Sequence, residues 1–178
     1  KILIVSSDRG TRGRNYNEPE SAALLGDAAA AIYIESSNDN KGLLHYSMET
    51  FPEGAELTEV KGGGTNLHPQ DSATRPEHNL FTMKGPQIFK MAFQKVYDRI
   101  ERDLLANKIT HKDIDLLIPH QASIRAIRAY SKYGGFNEEQ VMNILPTTGN
   151  CVAASLPLAL VMAYKQKKIN KKNLIYLV

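Results

Sequence analysis

Apolar positions in this chain change their spacing near residue 84, and the change separates a strand-and-loop region from a helical one. "KILIVSSD" at the start reads as a short buried strand, four apolar residues followed by a polar exit. "RGTRGRNYNEPES" is a loop by composition, rich in Gly, Asn and Pro. "AALLGDAAAAIYIES" leaves helix and strand both open; Gly26-Asp27 would interrupt a helix and "AAIYIE" alternates, which favours a turn followed by a strand. Residues 38–80 hold few long apolar runs and include "KGGG", so the pattern predicts a long loop region with one strand, "GLLHYSMET". Loops of this length in compact domains are often functional.

From "GPQIFKMAFQKVYDRIERDLLANK" onward the spacing becomes helical. Ile88, Phe89, Ala92, Phe93, Val96, Tyr97, Ile100, Leu104 and Leu105 recur at three and four, which predicts one long amphipathic helix. "THKDIDLLIPH" offers Thr110 as an N-cap, a short helical turn and a buried strand ending at Pro119. "QASIRAIRAYSKYGG" is a second helix closed by Gly134-Gly135. "NEEQVMNILP" reads as a short helix and strand, "AASLPLALVMAYKQKK" as a third major helix, and "NLIYLV" as a last strand. Pro157 lies inside the third helix, removes the bond to the carbonyl of Ala153 and predicts a bend there. Strands alternating with helices imply an α/β fold with a layered sheet.

Bulk properties narrow the class. A chain of 178 residues suits one domain or one large piece of a two-part fold. Hydrophobic residues at 42% and charged residues at 23% are ordinary for a soluble globular protein. A formal net charge of +3 is too small to argue for nucleic acid, and "KQKKINKK" reads as the solvated end of a helix and its turn. No apolar run approaches the roughly 20 residues that cross a bilayer, so membrane insertion is not expected. The single cysteine, Cys151, excludes an internal disulfide and fits a reducing, cytoplasmic setting. Lys1 leads directly into an apolar run and the chain closes on another, so both ends look cut from a longer protein.

Two polar residues stand where chemistry is expected. His120 follows the strand "DIDLLIP" and precedes a helix, and ligands in open α/β sheets bind beyond the carboxyl ends of strands. It either holds a turn or donates a hydrogen bond or proton to a ligand. Asn150, in "TTGNCVAAS", either caps a helix or offers its amide to an oxyanion. Cys151 is adjacent, but small surroundings suit a buried, inert thiol, and one step along a tight turn points elsewhere. His45, His68, His78 and His111 lack ligand-like spacing, so no metal site is expected. Neither "KGGGTN" nor "GDAAAA" meets the pattern of a phosphate or dinucleotide loop.

Four stretches together resemble the beta-ketoacyl-acyl-carrier-protein synthase III family of the thiolase-like superfamily. They are "ESAALLGDAAAAIYIE", "FTMKGPQIFKMA", "DIDLLIPHQASIRAI" (similar to Pro-His-Gln-Ala-Asn) and "GNCVAASLPLAL" (similar to Gly-Asn-Thr-Ser-Ala-Ala-Ser). The resemblance implies a thiolase-like layered α/β fold, incomplete, with residues 1–36 ending its N-terminal half and 37–178 forming a C-terminal half without its last segment. It implies decarboxylative condensation of an acyl thioester with malonyl-carrier protein, with His120 and Asn150 as the two oxyanion donors. Arg125 and Gln121 become candidates for binding substrate or carrier protein. No dissociable cofactor is implied, because the substrate rides on the phosphopantetheine of acyl carrier protein or CoA, and a homodimer is expected. The nucleophilic cysteine of the family belongs upstream of Lys1, and Ser123 and Cys151 depart from the two motifs. The alternatives are a CoA-thioester acyltransferase, a head-to-head condensing relative, or a non-catalytic partner subunit.

Overall fold

The computed structural model describes residues 1–37 and 41–178; residues 38–40, the first three of the predicted long loop, lie outside the described residues. Strand β1 (Ile2–Arg9) pairs antiparallel with β2 (Asp27–Ile34), in register from Ile2↔Ile34 to Arg9↔Asp27. A short helix, α1 (Pro19–Ala22), precedes the turn into β2, as Gly26-Asp27 requires. β1 forms as predicted but is not buried: Ile2, Leu3, Ile4 and Val5 are all exposed. A two-stranded ribbon covers neither of its own faces, whatever its apolar content.

Strand β3 (Thr58–Val60), inside the region read as loop, forms a small antiparallel pair with β4 (Phe81–Met83), just beyond that region. The predicted strand "GLLHYSMET" does not form. Its alternate residues reach helix α2 (Gly85–Asn107) instead of a neighbouring strand: His45 Nε2 and Ser47 Oγ contact the Asp103 carboxylate at 3.1 and 3.0 Å, and Glu49 pairs with Arg99 and Arg102. Burial alone would raise the pKa of Asp103, but hydrogen bonds from Arg99, Tyr176, His45 and Ser47 hold it well below the usual carboxylate range.

The core lies around β5 (Leu116–Ile118), which pairs in parallel with β6 (Ile175–Leu177). Alternation along β5 splits its side chains between two layers. Leu117 packs with Ile100 and Leu104 of α2 and Ile127 of α3 (Ile124–Tyr133). Leu116 and Ile118 pack with Met142 and with Ala159 and Ala163 of α5 (Ser155–Lys165). Helices on both sides of one strand pair give the layered α/β arrangement expected from the pattern. The "NEEQVMNILP" strand is reduced to one bridge, Leu117↔Val141, followed by the short helix α4 (Leu145–Thr148).

Pro157 does not bend a helix. The chain makes a 3-10 turn over Val152–Ala154 before α5 begins at Ser155, so Pro157 falls in the first turn of α5. N–H groups there have no intrahelical acceptor, and proline removes nothing.

Candidate active site

His120 is presented by the end of the most buried strand. Its backbone N–H donates to Val178 O just past β6, and its carbonyl accepts the Ala122 N–H at 2.9 Å, closing a tight turn before α3. Ser123 then caps α3, its Oγ accepting the Ala126 N–H at 3.2 Å. Ser and Asn are comparable acceptors at an N-cap, so the departure from Pro-His-Gln-Ala-Asn leaves this turn closed. The imidazole keeps exposed surface, yet desolvation by the surrounding atoms lowers its pKa below the ordinary value. A neutral ring with one N–H donor is therefore the favoured state at neutral pH.

Asn150 is fixed from both sides of its peptide. Its N–H donates to Leu24 O at 2.7 Å, and its carbonyl accepts the Gly26 N–H at 2.8 Å. This crossing demands glycine twice. A Cβ on Gly26 would lie 1.9 Å from Thr148 O, and Gly149, at φ +66°, would bring one within 3.0 Å of Leu24 O. The side-chain Oδ1 accepts the Val152 N–H at 2.9 Å, a local turn contact; Asn150 is not the helix cap the sequence offered, since Cys151 and Ala154 occupy the N-cap positions that follow. With the acceptor end used there, the Nδ2 donors remain for a ligand.

His120 and Asn150, distant in sequence, line one cavity of ≈ 410 Å³. Leu25, Val60, Phe81 and Val152 supply apolar wall, and Arg9 a cation. Two neutral donors in an apolar cavity suit stabilisation of a developing oxyanion, which gains most where water is excluded. A wider, open hollow of ≈ 760 Å³ between residues 49–51 and α2 is lined largely by charged side chains such as Glu49, Lys95 and Arg102 and contains neither residue. The donor pair marks the smaller cavity as the place for chemistry.

The other candidates separate. Gln121 has no exposed surface, so it is corrected from a substrate or carrier contact to an internal bracket. Its Nε2 donates to Pro119 O at 2.7 Å and to Met142 O at 3.2 Å, while Oε1 accepts the Ile144 N–H at 2.9 Å. Arg125 is exposed on α3, its guanidinium 5.7 Å from the Phe89 ring centre, and is not among the residues lining the cavity. Cys151 is fully buried, its thiol directed at Thr148 O, and burial raises its pKa. Such a thiol is no nucleophile. His68 and His78 accept backbone N–H groups of Gln70 and Arg75, so both hold turns. Among the described residues no group of three or more potential ligands could hold a metal ion, and no helix is long and apolar enough to cross a membrane.

Sequence reasoning missed Asp8, Arg9, Val60, Phe81 and Val152. Asp8 and Arg9 sit at the carboxyl end of β1, and the rule that drew attention to His120 applies to that end too. Val60 and Phe81 lie on three-residue strands that periodicity cannot detect.

Comparison with known proteins places the fold in a family. Residues 1–52 match the family model described as 3-oxoacyl-acyl-carrier-protein synthase III, and residues 104–178 match the model of that family's C-terminal part. Beta-ketoacyl-acyl-carrier-protein synthase III of Clostridioides difficile is 32% identical over 99% of this chain and 54% of its own length. The Rickettsia prowazekii protein of the same name is 30% identical over 98% of this chain and 52% of its own. Among solved structures, the Aquifex aeolicus 3-oxoacyl-acyl-carrier-protein synthase III superposes with a TM-score of 0.85 at 24% identity, covering 99% of this chain and 52% of that one. The Thermus thermophilus synthase III superposes at 0.83 and 25% identity, covering 99% and 54%. The chain thus spans about half the length of the relatives it matches. On these matches, the chain belongs to the beta-ketoacyl-acyl-carrier-protein synthase III family and carries a thiolase-like portion of it.

Proposed function

We propose that this chain forms the decarboxylation half of a condensing site that joins an acyl thioester to malonyl-carrier protein with loss of carbon dioxide. The observation that carries the reading is that His120 and Asn150 both line one cavity. As malonyl thioester loses carbon dioxide, charge moves onto the thioester oxygen. His120 donates its imidazole N–H and Asn150 its Nδ2–H to that oxygen, so the enolate forms without a metal. The enolate carbon then attacks the acyl group, the carbonyl of the acyl thioester re-forms and the thiol leaves. Cys151 cannot hold the acyl group, and in this reading the nucleophile lies outside these 178 residues. The substrate arrives on the phosphopantetheine arm of acyl carrier protein or on CoA, no dissociable cofactor takes part, and the working protein is a cytoplasmic homodimer. Arg125, exposed and basic on α3, remains the candidate to meet the carrier protein.

The test uses the full-length protein with an acyl primer and malonyl-carrier protein. In His120→Ala and Asn150→Ala, carbon dioxide release falls about 10²–10³-fold each, as expected for loss of one oxyanion donor. Acyl transfer from the primer to the enzyme thiol persists in both. Undiminished condensation in the double variant overturns the reading.

A further inference from the structure

We infer that Asp8 is a positioning residue for Asn150, holding in place the strained turn that aims its amide; the inference rests on the role proposed for Asn150. The turn contains an unusual residue. Val152 is β-branched yet sits at φ +51°, in the left-handed region that such side chains avoid. That angle sets how the chain leaves the Asn150 turn and enters α5, while the peptide just before it carries the Val152 N–H that donates to Asn150 Oδ1 at 2.9 Å. Left alone, Val152 relaxes to negative φ; with α5 held by its packing, the 150–152 segment must then shift, and the carboxamide loses the Val152 N–H bond that orients Nδ2.

Three contacts oppose that relaxation. Ser155 Oγ accepts the Cys151 N–H at 2.9 Å, and Cys151 O accepts the Ala154 N–H at 3.0 Å. Both lie within the turn itself. The third comes from outside: Asp8 Oδ2 accepts the same Ala154 N–H at 3.0 Å, across 146 positions of sequence. An ionised carboxylate makes the stronger kind of hydrogen bond, and here it is the external anchor of the turn. Ala154 is fully buried, so water does not readily replace that acceptor. Asp8 is thereby the link through which the first strand of the chain acts on Asn150.

A double-variant comparison in the full-length protein tests this. Asp8→Ala should lower kcat for carbon dioxide release at least tenfold while KM for malonyl-carrier protein moves less than threefold, because binding is untouched and donor aim is not. Asp8→Glu, which keeps a carboxylate, should recover part of the loss. Val152→Gly removes the strain, so in that background the additional effect of Asp8→Ala should shrink to less than threefold. An equal loss from Asp8→Ala in both backgrounds, or no loss in either, overturns the inference. Amide hydrogen exchange separates this outcome from failure of the proposed reaction. Whether or not carbon dioxide is released, Asp8→Ala should speed exchange at Val152 and Ala154 at least tenfold, and unchanged protection there also overturns it.

Discussion

Replacing Gln121 by methionine keeps the volume of the side chain and deletes its hydrogen bonds, which makes it a clean probe of the bracket behind His120. Gln121 is entirely buried and serves three backbone groups: Pro119 O, Met142 O and the N–H of Ile144. Met142 and Ile144 are themselves only 1% and 2% exposed, so the orphaned groups gain no water. An unsatisfied buried donor costs about 1–3 kcal/mol, and withdrawing a donor from two carbonyls adds to it, for a total of roughly 3–5 kcal/mol. With a urea m-value of about 2 kcal/mol/M, the midpoint of unfolding should fall by about 2 M. Equilibrium unfolding of Gln121→Met beside the parent protein measures this. A midpoint shift below about 0.5 M, together with a raised KM for carrier protein, would mean that Gln121 meets ligand rather than backbone, and would refute the reasoning.

Three further outcomes follow from the same geometry. Gly26→Ala drives a Cβ into Thr148 O, so it should destabilise by more than about 3 kcal/mol, whereas Gly42→Ala, with nothing nearby, pays only for its positive φ; thermal unfolding of the two variants ranks them. His120 should titrate below its ordinary value in a histidine NMR series, since burial disfavours the imidazolium. Its folded pKa lies under the unfolded one, so the stability it contributes is complete above the unfolded value and is lost as pH falls through the folded value. A His120 pKa at or above the free-histidine value would contradict that. Cys151 should resist alkylation in the native protein and react on unfolding, and Cys151→Ala should leave acyl transfer intact; rapid native labelling would show the burial to be wrong.

The helical half of the fold was legible because its burial is one-sided. Ile100 and Leu104 recur at helical spacing and meet the core as expected, and "LLI" is buried because it lies between two helical layers. The first strand shows the limit of the same reasoning: "ILIV" pairs in a ribbon with open faces, which no local pattern distinguishes from a buried strand. "GLLHYSMET" alternates like a strand, but what its alternate residues find is Asp103 and Arg99, partners 50 to 58 positions away. The site divides in the same way. His120 and Asn150 were readable because each sits beside backbone punctuation, Pro119 and Gly149. Gln121 was misread because a buried amide and a ligand-binding amide look alike in sequence and differ only in burial. Val152 was invisible, since its backbone angle is imposed by the Asn150 turn and by contacts that arrive from Asp8.

The central claim is that His120 and Asn150 serve one oxygen atom. A crystal structure of the full-length protein with a non-decarboxylating malonyl thioester analogue measures it directly. The account predicts the thioester oxygen within hydrogen-bonding distance, about 2.7–3.1 Å, of both a His120 imidazole nitrogen and Asn150 Nδ2, inside the cavity bounded by Phe81 and Val152. An oxygen held by backbone amides elsewhere, or by one of the two side chains with the other turned away, would contradict it.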